Sequence, residues 1–219
     1  MVAYAVFGVG IYVMSSSGVA RMLDDDEGEP MREAVAWSPD GSRIAYLDFV
    51  EDSPVYGHHA YGLSFVNPDG SDLHKLALWL PTQEAAGLVW SPDGSHLAFW
   101  MPANGPDFAP WRAPNPFPPA WRTSGPIELF VVNAGGSGLR QLTHDANCRG
   151  PLTPENHWMV VGRAGPLFTV DDCRGPVWSP DGSQIAFARR DEVFTIAADG
   201  TDLRKIEGNK DIAIPTVWN

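Results

Sequence analysis

Along the chain, apolar and polar positions alternate with a period of two in short runs, and each run stops at a cluster of Ser, Pro, Asp and Gly. In residues 34–47 the run AVAW is followed by SPDGS and then by RIAYL. Period-two runs of this length are half-buried strands, and SPDG reverses the chain between them: Pro presets φ, Asp accepts from nearby amides, and Gly takes a positive φ. The same design returns as WSPDGSHLAF from Trp90 and as WSPDGSQIAF from Trp178. A second string follows each copy, NPDGSDLHKL from Asn67, NAGGSGLRQL from Asn133 and AADGTDLRKI from Ala197, and reads as a second hairpin. Each unit is thus two hairpins, four antiparallel strands in all.

Three copies of WSPDGS with a later Asn-x-Asp-Gly-like turn resemble the repeat of TolB-like and WD40-like (PD40) β-propellers over most of the chain. That resemblance implies an all-β propeller of four-stranded antiparallel blades, with Trp37, Trp90, Trp178 and Trp218 packed between neighbouring blades. It is specific for fold and says little about activity, because propellers host many functions.

The interval from Trp90 to Trp178 exceeds one unit of about 40–45 residues, so it holds a further, degenerate one. CRGPLTPEN from Cys148 parallels CRGPVWSPD from Cys173, with TPEN in place of SPDG. At the ends, IAIPTVWN reads as an innermost strand, while VAYAV and GIYVMSSSGVARML supply the other three strands of one blade. The expectation is a single domain over 1–219 of five blades, one of them reduced, closed where the termini share a sheet. The units are 2–24 with 212–219, 33–77, 86–143, 148–172 and 174–207. Closure would remove exposed sheet edges. The competing reading is a piece of a larger propeller.

Composition narrows the function. With 27 acidic and 15 basic residues the net charge is -12, which disfavours binding to phosphate backbones, so nucleic acid is not an expected partner. The apolar opening ends in Gly18-Val19-Ala20, like a leader cleavage site, yet no Lys or Arg precedes Arg21, and Gly8 and Gly10 interrupt the run. It reads better as strand-turn-strand and is too short to span a bilayer. An extracytoplasmic or periplasmic setting is implied by the family resemblance alone.

Both hairpin turns of a unit fall on one end of the blades, so the irregular loops emerge at the other, where function is usually carried. In 101–125, Phe108, Trp111, Arg112, Phe117, Trp121 and Arg122 stand among seven prolines, with Trp-Arg occurring twice. Pro-rich segments lose little entropy on docking, and Trp and Arg dominate binding hot spots. A loop folded over its own aromatics is the plainer account. Tyr56, His58 and His59 lie in 51–62, where adjacent histidines on extended chain point apart and match no metal-ligand spacing. The acidic run at Asp24, Asp25, Asp26 and Glu27 lacks the spacing of a calcium loop and reads as a solvated connection. Arg149 and Arg174 follow the two cysteines and point to the channel mouth, as anion contacts or as partners of nearby acids.

No nucleophile elbow, phosphate-binding loop or dinucleotide fingerprint occurs, and no cofactor is implied. The leading expectation is a non-catalytic scaffold for a protein or peptide partner. The alternative is a small-molecule site at the channel mouth: a carbohydrate pocket using Trp111 and Trp121, or a hydrolase using His58 and His59.

Overall fold

The computed structural model describes residues 1–6, 10–24, 34–50, 60–80, 86–103, 127–144, 173–189 and 192–206. They form four antiparallel sheets. The first holds β1 (Val2–Val6), β2 (Gly10–Met14) and β3 (Ala20–Asp24), in that order. The second holds β4 (Val35–Trp37), β5 (Ile44–Val50), β6 (Ala60–Val66) and β7 (His74–Leu80). The third runs from β8 (Ala86–Trp90) through β9 (His96–Pro102) and β10 (Ile127–Asn133) to β11 (Arg140–Gln141). The fourth runs from β12 (Cys173–Trp178) through β13 (Gln184–Arg189) and β14 (Glu192–Ala197) to β15 (Arg204–Ile206).

The turn chemistry behaves as the residue types dictate. In each SPDG turn the Gly amide donates to the Ser carbonyl at 2.9 Å, closing the reversal at Ser38–Gly41, Ser91–Gly94 and Ser179–Gly182. Asp40, Asp93 and Asp181 each accept from the Ser two residues before and from the amide two residues after. The preceding Ser hydroxyl also accepts from the amide of Arg43, His96 or Gln184, so each turn is fully cross-tied.

Neighbouring sheets pack face to face through three apolar clusters. Ile11, Val13 and Leu23 meet Ile44, Tyr46 and Val66, with Trp37 against them. Leu47, Leu63 and Phe65 meet Leu97, Phe99, Met101 and Phe130, with Trp90 against them. Trp100, Leu129 and Leu142 meet Trp178, Ile185, Phe187 and Ile196. The Trp that opens each SPDG turn therefore lies between sheets, as expected for Trp37, Trp90 and Trp178, while Trp218 lies outside the described residues. Indole donors add specific ties: Trp90 Nε1 to the Ala36 carbonyl at 3.1 Å and Trp100 Nε1 to the Gly175 carbonyl at 2.8 Å.

The strands β1, β4, β8 and β12 run beside one another on one side of the array. The third and fourth sheets touch directly, although 148–172, where a reduced unit was expected, separates them in sequence and lies outside the described residues. In the first sheet, Arg21 pairs opposite Val13 as Arg140 pairs opposite Val131 and Arg204 opposite Thr195. This register makes β1, β2 and β3 the counterparts of the last three strands of the other sheets. Among the described residues no strand pairs with the other edge of β1, where 212–219 was expected.

Candidate binding face

The register fixes which end of each sheet carries which connection. Ile44 pairs with Val66 beside the turns, and Val50 pairs with Ala60 at the far end. In the third sheet Asn133 pairs with His96 near the turns and Ile127 with Pro102 at the far end. Leu80 lies near Tyr61, and Cys173 and Arg189 pair with each other, also at the far end. Segments 51–59, 81–85, 104–126 and 145–172 thus all leave and return at the end opposite the SPDG turns.

The residues singled out from the sequence belong almost entirely to these segments. Tyr56, His58 and His59, then Phe108, Trp111, Arg112, Trp121 and Arg122, and Arg149 lie outside the described residues. Arg174 is on β12, opposite Ala188, and only its backbone is described. What the structure describes is the strands that flank these segments. The 104–126 segment is anchored on β9 and β10, whose pairing is unbroken from Asn133↔His96 to Ile127↔Pro102.

Two features of these strands escaped the sequence reading. Glu128 is fully buried at the loop end of β10, two residues after the aromatic segment. Thr143 Oγ1 donates to Glu128 Oε2 at 2.5 Å and accepts from the Leu129 amide at 2.9 Å, so one hydroxyl ties the carboxylate to the backbone. The available signal was a lone acid inside the apolar run IELFVV. The second feature is the approach of β8 to β12 at Gly87 and Gly175, both of positive φ and both at register shifts. A Cβ added at Gly87 would lie 2.8 Å from the Gly175 carbonyl oxygen, so the two backbones pass as closely as they do only without a side chain there.

Cys173, at this end of β12, is buried and disulfide-bonded, and Cys148 lies outside the described residues. Among the described residues no three His, Cys, Asp or Glu side chains gather in a way that would hold a metal ion, and no helix is long and apolar enough to cross a membrane.

The opposite end carries the turn aspartates. Hydroxyl donation from Ser38, Ser91 and Ser179 holds Asp40, Asp93 and Asp181 down from 3.8 to about 2. Asp69 and Asp199 are lowered in the same sense, by the hydroxyls of Ser71 and Thr201. Each of these carboxylates accepts hydrogen bonds from its own turn, which ties it to the fold.

Four sheets of antiparallel strands, stacked face to face with β1, β4, β8 and β12 side by side, are the arrangement of one architecture. The fold is a β-propeller. It is similar to TolB from Acinetobacter baumannii, with a TM-score of 0.54 and 12% identity over 89% of this chain and 36% of that one. It is equally similar to an oligogalacturonate lyase in complex with manganese, with a TM-score of 0.54 and 12% identity over 93% of this chain and 49% of that one. The chain therefore spans about a third to a half of the length of these propeller proteins. No family model matches the sequence. At such identities the likeness is one of fold, related broadly to TolB-type and WD40-type propellers.

Proposed function

We propose that this propeller is a non-catalytic scaffold that presents its loop end to a protein or peptide partner in an extracytoplasmic setting. One observation supports the reading: the two strands that flank the Trp-, Arg- and Pro-rich segment 104–126 in sequence, β9 and β10, are paired along their full length. A rigid base under a Pro-rich loop lowers the ordering cost of binding, and Trp111, Arg112, Trp121 and Arg122 are the residue types that supply hot spots. Segment 145–172 leaves and returns at the same end between two sheets already in contact, so in this reading it enlarges the binding rim. Residues 212–219 complete the first blade by adding an innermost strand along β1. The disulfide at Cys173 supports an oxidising compartment, as does the likeness to TolB.

The test is a binding screen of the full chain against proline-rich and acidic peptides and against a glycan array. Peptide binding weakened at least about tenfold by Trp111→Ala with Trp121→Ala is the expected result, since each hot-spot truncation costs about 2 kcal/mol or more. Glycan binding lost in the same variant, with no peptide binding, would replace the scaffold by a carbohydrate-binding propeller. Turnover lost with His58→Ala would replace it by a hydrolase.

A further inference from the structure

The third and fourth blades are tied together by contacts that need nothing from residues 145–172. On the inner side Trp100 Nε1 donates to the Gly175 carbonyl at 2.8 Å. Between the sheets Trp100, Leu129 and Leu142 share one buried cluster with Trp178, Ile185 and Phe187. At the outer edge Arg140 donates to the Ala198 carbonyl, and Leu142 Cδ2 lies 3.5 Å from where a Cβ would stand on Gly200. Cys173 belongs to the same buried cluster. It is 4% exposed, opens β12, and lies two residues before the glycine that accepts from Trp100.

The chain has two cysteines, and Cys173 is disulfide-bonded, so within one chain its partner is Cys148. The third blade holds the chain as far as Leu142, whose amide donates to the Leu129 carbonyl at 2.7 Å, and Thr143, which accepts from the Leu129 amide at 2.9 Å. Along the backbone, residues 144–172 separate Thr143 from β12. Through the disulfide, the path from Thr143 to β12 runs over 144–148 alone. That is as short as 81–85, the stretch that joins β7 of the second blade to β8 of the third. The bond thus supplies between the third and fourth blades the short connection that the backbone itself supplies between the second and third, and it leaves 149–172 off that path.

We propose that the Cys148–Cys173 disulfide is a redox-sensitive staple across the junction of the third and fourth blades. When the contacts of that junction part, a short tether leaves the two blades few arrangements, whereas the longer tether of the reduced chain leaves many. The oxidised chain therefore opens at this junction less often than the reduced one. Reduction is carried out by an external dithiol: two electrons pass to the bond, both sulfurs leave as thiols, and the dithiol closes to its own disulfide. The staple concerns the ring alone and stands whatever the loop end binds.

Two indole protons read the junctions separately. That of Trp100 is bonded across the third and fourth blades to Gly175, and that of Trp90 across the second and third to the Ala36 carbonyl at 3.1 Å. Hydrogen exchange at both is followed by NMR on the full chain in three forms: oxidised, reduced in urea and returned to buffer with a dithiol, and Cys148→Ser. The variant keeps Cys173 as a buried thiol, which packs as a small apolar side chain, so it is expected to fold. Exchange at Trp100 is expected to be faster by at least about tenfold in the reduced chain and in the variant, with Trp90 changed by less than about twofold. Peptide mapping without reductant is expected to find Cys148 and Cys173 joined within one chain. Two free thiols in the chain isolated under oxidising conditions, or a bond between two chains, overturns the proposal. Equal acceleration at both indoles, or loss of cooperative folding in both the reduced chain and the variant, overturns it in favour of a general stabiliser. No change at Trp100 overturns it as well, because the junction is then held by its contacts alone.

Discussion

Trp100 on β9 donates its indole N–H to the carbonyl of Gly175 on β12 at 2.8 Å, while its ring meets Phe187 edge-on at 5.5 Å. One fully buried side chain thus supplies both packing and a directed bond between the third and fourth blades. Trp100→Phe keeps most of the packing and orphans the carbonyl, which is expected to cost about 1–3 kcal/mol. Trp100→Ala adds a cavity and is expected to cost about 3–5 kcal/mol. Urea denaturation separates the two, and a loss below about 1 kcal/mol for the alanine variant would place the indole outside the core.

Gly87 and Gly41 share a φ of +70° but differ in surroundings. Alanine at either position carries the left-handed strain of about 1–2 kcal/mol. At Gly41 nothing lies within 4 Å, whereas at Gly87 the new Cβ would meet the Gly175 carbonyl oxygen at 2.8 Å and Trp100 at 3.1 Å. Gly87→Ala is therefore expected to lower the urea midpoint clearly more than Gly41→Ala. Equal losses would mean that β8 and β12 are free to move apart.

The contrast between these glycines also marks what was legible in the sequence. The turn glycines were readable because SPDG specifies its own geometry through local bonds among Ser38, Asp40, Ser42 and Gly41. So was the inter-sheet role of Trp37, Trp90 and Trp178, since repetition at one place in each unit implies one environment. The close passage at Gly87 and Gly175 was not, because it depends on which two blades become neighbours. Sequence order suggested a unit between them, and the contact is direct. Glu128 was missed for a related reason: an acid in an apolar strand is uninformative until Thr143, just beyond β11, is known to face it. Of the residues named for binding, the structure describes only the backbone of Arg174, but the strand register supports the expectation that their loops share one end.

Thr143 offers a test of that buried pair. Thr143→Val preserves shape but removes both the donor to Glu128 and the acceptor for the Leu129 amide. Leaving the Leu129 amide without its acceptor and removing one donor from Glu128 is expected to cost about 2–3 kcal/mol, with Thr143→Ser losing about 1 kcal/mol or less of hydrogen bonding. If binding at the loop end depends on the flanking strands, Thr143→Val also weakens peptide affinity at a temperature where the variant is still folded. Valine and serine variants of equal stability would show that the hydroxyl is not engaged.

Asp40, Asp93 and Asp181 make the fold sensitive to acid in a defined direction. Their value of about 2 in the folded chain lies below the 3.8 of a free aspartate, so the unfolded chain takes up protons first as pH falls. The stabilisation they contribute is complete above about pH 4 and disappears as pH drops through about 2. The urea midpoint is therefore expected to be flat from pH 6 to 5 with respect to these groups and to fall between pH 4 and 2. A variant carrying Asp40→Asn, Asp93→Asn and Asp181→Asn starts lower at pH 6, because the charge-assisted acceptors are gone, and falls less steeply below pH 4. Parallel acid limbs in the two proteins would mean that the turn aspartates are not what the low-pH transition titrates, and would shift the source to carboxylates elsewhere in the chain.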